Sequence, residues 1–264
     1  MNNKALFGYL VIGLLIFGIV ASTISLAISV EVSEIEGELM PTLPILISLP
    51  KLIEKKDEAV KIEAKREKGT KNLSLHLYLE AGRLNVLPTI EKDYLFILKG
   101  RKEAGKEILQ KLVDGRYKLY LPSGEYTLYL PVDMTYWLKV ESKVGEIKVE
   151  ADTLRLTYLE VKSDVGNMEL KVKLCEGAEI FAELNIGNLE AFILTDGCEY
   201  KVETDVRLGK ISLSGSGFSI IEWDEERKVV QSPKFDKALN PASAKLKVSL
   251  GNLSVDIGPT KGGY

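Results

Sequence analysis

Residues 144–149, 165–170, 186–191, 208–213 and 250–255 read VGEIKV, VGNMEL, IGNLEA, LGKISL and LGNLSV. Two earlier stretches, AGRLNV at 81–86 and SGEYTL at 123–128, keep the same order of glycine, polar residue and alternating apolar residues. The glycines are Gly82, Gly124, Gly145, Gly166, Gly187, Gly209 and Gly251, spaced by 42, 21, 21, 21, 22 and 42 residues, one or two units of a period near 21. The residue after each glycine is polar, and the apolar positions that follow, such as Ile147/Val149 and Leu253/Val255, alternate with period two. That is the signature of a strand with one buried face, and it excludes a helix, whose apolar positions recur at three and four.

A unit of this length cannot bury an apolar face alone, so the units are expected to stack. The expected fold is all-β: a single-stranded, β-solenoid-like stack in which each glycine lies about 4.8 Å from its neighbour. Glycine there permits positive φ or a close backbone approach that a Cβ would obstruct. A twisted antiparallel sandwich with glycine in its turns is the alternative. Two intervals lack the repeat. Glu103–Val113 reads as a short helix ended by Asp114-Gly115, with Ile108, Leu109, Leu112 and Val113 on one face. Between Gly209 and Gly251, FSIIEWDEERKVVQ reads as a hairpin turning at Asp224–Glu226.

Upstream, residues 5–30 carry no charge, and 26 residues make a helix of about 39 Å, enough to cross a bilayer core. Lys4 before it and Glu31, Glu34, Glu36 and Glu38 after it place the N-terminus in the cytoplasm and the rest outside. A cleaved signal with small residues at Ala21 or Ala27 is a second reading, and both export the domain. The start Lys4-Ala5-Leu6 also resembles the processed leaders of archaeal pilins, which would imply a filament subunit. The domain plan is thus an anchor at 1–30, a juxtamembrane linker and N-terminal hairpin arm at 31–71, and a β-repeat domain at 72–264. AVKIEAKR (59–66) and KNLSLHLYLEAG (71–82) are read as the two arms of that hairpin.

The net charge of −3 and pI near 5.6 give no basic face for nucleic acid. Much Lys and Glu with Gln only at 110 and 231 is a composition seen in thermophiles. No catalytic motif occurs, no cofactor is implied, and the lone His76 falls on the polar face of a strand. Asp152, Asp164, Asp196 and Asp205 fall near turns, where aspartates normally cap backbone, although a stack could gather them into a calcium site or an acid pair. Cys175 and Cys198 follow Gly166 and Gly187 by nine and eleven residues, which predicts a disulfide between neighbouring units. Asn72 and Asn252 each begin an Asn-Leu-Ser glycosylation pattern.

From Leu79 onward the recurring small-glycine-polar-apolar element resembles the toast-rack families, exported and often membrane-tethered β-repeat domains of which some are adhesin-like. The resemblance implies a non-enzymatic surface scaffold or adhesin-like module at the cell membrane, with a possible place in envelope stress sensing. Its expected partners are membrane lipid along residues 5–30 and an envelope protein or surface glycan. Two alternatives remain: a self-assembling filament or lattice subunit, and a β-helical enzyme acting on polysaccharide.

Overall fold

The computed structural model describes residues 57–259, apart from 176 and 196. The segment expected to span the membrane at 5–30, most of the linker and Asp196 lie outside the described residues. Among the described residues thirteen strands occur: β1 (Asp57–Lys65), β2 (Asn72–Thr89), β3 (Tyr94–Glu103), β4 (Leu109–Val113), β5 (Arg116–Leu121), β6 (Gly124–Pro131), β7 (Thr135–Ala151), β8 (Arg155–Lys173), β9 (Glu179–Leu194), β10 (Tyr200–Gly215), β11 (Ser219–Trp223), β12 (Arg227–Gln231) and β13 (Ala242–Gly258). They form one sheet ordered β1-β3-β6-β2-β7-β8-β9-β13-β10-β12-β11, with β5 also on β2 and β4 on β5. The all-β expectation therefore holds for the described residues, whose only helical turn is the 3-10 segment Phe235–Lys237.

The six long strands β2, β7, β8, β9, β13 and β10 pair in parallel. A straight strand of 17 residues, such as β7, would be about 56 Å long. Only Asp152, Thr153 and Leu154 separate it from β8, which starts beside the start of β7 (Thr135 opposite Arg155). Three residues cannot return the chain that far, so the strand itself bends. Burial locates the bend. In β7, Tyr136, Leu138, Val140 and Ser142 are buried, then Ile147, Val149 and Ala151, so the inward parity switches around Gly145. A second parity change in β8 comes from a bulge at Thr157, whose hydroxyl donates to Tyr136 O at 3.0 Å.

The glycines align in one column, ordered Gly124–Gly82–Gly145–Gly166–Gly187–Gly251–Gly209. Gly166 has φ +141°, and a Cβ there would collide with the carbonyl oxygen of Gly145. The same collision passes from strand to strand along the column. Its order departs from chain order, because β13 lies between β9 and β10 and β2 lies between β6 and β7.

Two local expectations are overturned. Glu103–Val113 is not a helix: β3 continues to Glu103, and Leu109–Val113 is strand β4. Asp114 and Gly115 both take positive φ (51° and 73°), the two-residue turn that joins Val113 to Arg116 in a β4–β5 hairpin. Leu109, Leu112 and Val113 are exposed rather than packed. Likewise β1 pairs with β3, not β2, because β2 is occupied by β7 on one side and by β5 and β6 on the other. The hairpin expected around Asp224–Glu226 is present as β11–β12, with Asp224 Oδ1 accepting from the Glu226 and Arg227 amides at 3.0 and 2.6 Å.

The core is one aliphatic cluster with two tyrosines tied to proline carbonyls, Tyr126 to Pro122 O (2.9 Å) and Tyr136 to Pro131 O (2.5 Å). Burial pushes the Tyr126 phenol up to about 12. One inward row runs Leu79–Ser142–Ser163–Leu184–Val248–Val206. Ser142 and Ser163 are buried there, and their hydroxyls have no hydrogen-bond partner.

Gly166→Ala is expected to cost about 3 kcal/mol or more in denaturant unfolding, because backbone must move. Gly105→Ala, at an open turn with φ +77°, is expected to cost only about 1 kcal/mol. Equal costs would show that the column is not what restricts residue 166. Ser163→Ala removes an unpaired buried hydroxyl and should stabilise by about 1 kcal/mol, raising the melting temperature by about 2–4 °C.

Candidate binding face

Side chains that alternate away from the core form rows across the parallel strands. On the first arms one row is His76–Lys139–Glu160–Phe181, and the next is Tyr78–Glu141–Lys162–Glu183–Lys247. Their charges interlock. His76 Nε2 lies 2.9 Å from Glu141 Oε2, and Lys139 bridges Glu141 (2.9 Å) and Glu160 (3.4 Å). Lys162 bridges Glu160 (2.8 Å) and Glu183 (3.9 Å), and Lys247 closes on Glu183 at 3.6 Å. Burial alone would raise Glu141 and Glu160. For Glu141 the hydrogen bonds to Lys139 and His76, and for Glu160 those from Lys162 and Tyr158, outweigh it and hold both carboxyls below their usual range. Burial would likewise lower Lys139, and its two carboxylates raise it instead.

At the bend the residue before each glycine turns outward. Val144, Val165, Ile186 and Leu208 are 50%, 40%, 46% and 66% exposed, and in register with Leu250 they make an apolar ridge across five strands. A polar row flanks each side. Lys143, Asp164 and Asn185 lie on one, with Asn185 Nδ2 donating to Asp164 Oδ1 at 3.0 Å. Glu146, Asn167, Asn188 and Asn252 lie on the other, with Asn252 Nδ2 donating to Asn188 Oδ1 at 3.2 Å. Next to the ridge are two shallow grooves. One, of about 400 Å³, includes Tyr78, Glu141, Lys143, Lys162 and Asn185; the other, of about 250 Å³, includes Glu146, Asn167, Asn188 and Glu190. The face repeats the same apolar and hydrogen-bonding groups at the strand spacing of about 4.8 Å, which suits an extended ligand better than a compact one.

The residues singled out from sequence are scattered around this face. His76 belongs to the charge network rather than standing free in solvent. Asp152 pairs with Lys171 (2.7 Å), Asp164 lies beside the ridge, and Asp205 stands opposite Arg227 on β12, so these three do not converge. The disulfide expected between Cys175 and Cys198 is not formed: both are free, half-buried thiols. Cys198 Sγ instead donates to Leu174 O at 2.9 Å, and burial, with Cys175 nearby, pushes its thiol up. Asn72 and Asn252 are exposed, the latter already bonded to Asn188. The ridge was missed from sequence although its residues stood in every repeat before the glycine. Alternation carried through the bend gives no sign of the parity switch that exposes them.

Fold and face together define a class: an all-β repeat domain of bent, parallel strands with an apolar ridge running across them. No family model matches the sequence, and no curated protein does. Among solved structures, the chain is similar to a provisionally assigned cell adhesion protein of Clostridium sporogenes, at 16% identity and TM-score 0.63, covering 76% of this chain and all (100%) of that one. At that identity the likeness is one of fold. A provisionally assigned adhesin of Bacteroides fragilis aligns over 76% of this chain and 97% of its own, at 12% identity and a TM-score of only 0.32. The Clostridium sporogenes protein thus shares the all-β fold that the repeat element led one to expect.

The charge network carries a pH dependence of determined sign. Glu141 and Glu160 are lowered on folding, so their contribution is complete above the unfolded value of about 4.3 and is lost as pH falls through the lower folded values. Unfolding free energy is expected to drop by about 1 kcal/mol between about pH 5 and pH 3, and Lys139→Met should flatten that limb. An unchanged acid limb in Lys139→Met would show that the network is not its source.

Proposed function

We propose that this chain is a non-enzymatic, adhesin-like binding module, a rigid solenoid-like scaffold tethered at the cell membrane through residues 5–30 with its repeat domain outside. The observation that carries the reading is the ridge of Val144, Val165, Ile186, Leu250 and Leu208, edged on both sides by amide and charged side chains. Groups repeated strand by strand recognise a partner that is itself extended, an envelope protein segment or a surface glycan. Apolar contact along the ridge supplies affinity, and the asparagine rows supply orientation. The fold shared with the Clostridium sporogenes protein supports adhesion as the service performed.

Cross-linking on intact cells, followed by purification of the full chain from detergent-solubilised membranes, tests this. A second envelope component should be recovered with the unaltered chain. Its yield should fall about tenfold with Val165→Glu/Ile186→Glu, which places two charges on the ridge without touching the core. Undiminished recovery with that variant would remove the ridge from the reading. A ladder of this chain alone would overturn it in favour of a filament or lattice subunit.

A further inference from the structure

The ends of the sheet are where a second molecule could join it. Among the described residues, β1, β4 and β11 each pair with a strand on one side only. β4 and β11 are five residues long, and β11 is irregular between Ile220 and Glu222. β1 is different: it spans nine residues and pairs regularly with β3 from Asp57 to Ala64. Val60, Ile62 and Ala64 are half-buried beside Gly100, Leu98 and Phe96, while Lys61 and Glu63 are exposed beside Lys99 and Ile97.

Charges on an edge normally repel a further strand. Those of β1 are self-complementary about Ile62. Antiparallel pairing of β1 with β1 of a second copy, centred there, sets Ile62 against Ile62, Val60 against Ala64 twice, and Lys61 against Glu63 twice. Within one copy Lys61 and Glu63 are already 2.6 Å apart, so the four charges alternate in sign. Lys61 also has Lys99 as its cross-strand neighbour on β3, and an acid on the open side offsets that like-charge contact. Moving the register by two residues sets Lys61 against Lys61 or Glu63 against Glu63. Moving it by one puts the apolar row on the wrong face. Among these registers the one centred on Ile62 is favoured on both counts.

We propose that β1 is a dimerisation strand, pairing antiparallel with β1 of a second copy of this chain about Ile62. The contact is two-fold and closes on itself, so it makes a dimer and not a filament. It goes beyond the binding role proposed above and adds to it, because two ridges held together bind a repeating partner with avidity.

The test uses the full chain in detergent micelles, with its mass followed by sedimentation across a range of concentrations. A monomer–dimer equilibrium is expected. Lys61→Glu sets acids against acids and should weaken dimerisation about tenfold or more, and Lys61→Glu/Glu63→Lys should restore it. Both positions are exposed, and thermal melts check that each variant folds. Independently, Ile62→Cys in a Cys175→Ser/Cys198→Ser background should cross-link to itself under mild oxidation, since directly opposed residues lie within disulfide reach. A chain that stays monomeric at every concentration overturns the proposal. So does a Lys61→Glu variant that dimerises as tightly as the unaltered chain, or an Ile62→Cys chain that does not cross-link.

Discussion

At the bend of each long strand, backbone packs on backbone with no side chain between. The carbonyl oxygen of Gly145 occupies the space a Cβ on residue 166 would need, that of Gly166 does the same for residue 187, and Gly187 for residue 251. Most of these glycines also have φ between 120° and 151°, a region closed to other residues. Without the bend, a three-residue connection such as 152–154 could not lead from one strand of 17 residues to a parallel neighbour in register with it. The parallel ladder, its core and its outer face all follow from that column.

The same constraint creates the surface. A strand that reverses its inward parity at the glycine must turn some side chain outward on the way, and the one before the glycine is that side chain. Val144, Val165 and Ile186 are branched and apolar, as β-strand positions favour, yet they are left in solvent and stacked in a line. Packing thus supplies both the rigidity of the face and its apolar character. The charged rows on the first arms and the amide row beside the ridge obey the ordinary cross-strand rule, with opposite charges or matched amides on adjacent strands.

The units that break the repeat close the stack. β3 to β5 fill the interval between Gly82 and Gly124, where β5 lies parallel on β2 while β3 and β4 pair antiparallel with β6 and β5, and β11 and β12 fill that between Gly209 and Gly251 with antiparallel strands. Covered ends suit a stack of finite length. Among the described residues the long edge of β1 is the exception, and its exposed Lys61 and Glu63 carry opposite charges.

The glycine period, the two-residue alternation and the turn at Asp224–Glu226 were legible in the sequence, because each depends on conformations available to only a few residue types. They were enough to name the all-β class, the residues of the column and most of the core. Other features were decided only when the chain closed on itself. Leu109–Val113 has a helical pattern but became a strand, since the Asp114-Gly115 turn and the free side of β5 offered it hydrogen bonds. β13 entered the ladder between β9 and β10, a choice that no spacing of glycines encodes, because parallel pairing joins whichever strands present matching faces. Cys175 and Cys198 lie near each other as free thiols, and the Cys198 sulfur donates to the Leu174 carbonyl, a local contact that unit spacing does not encode. The exposed ridge belongs to this second group, since whether an apolar side chain points in or out depends on where the strand bends, and only the folded backbone fixes that.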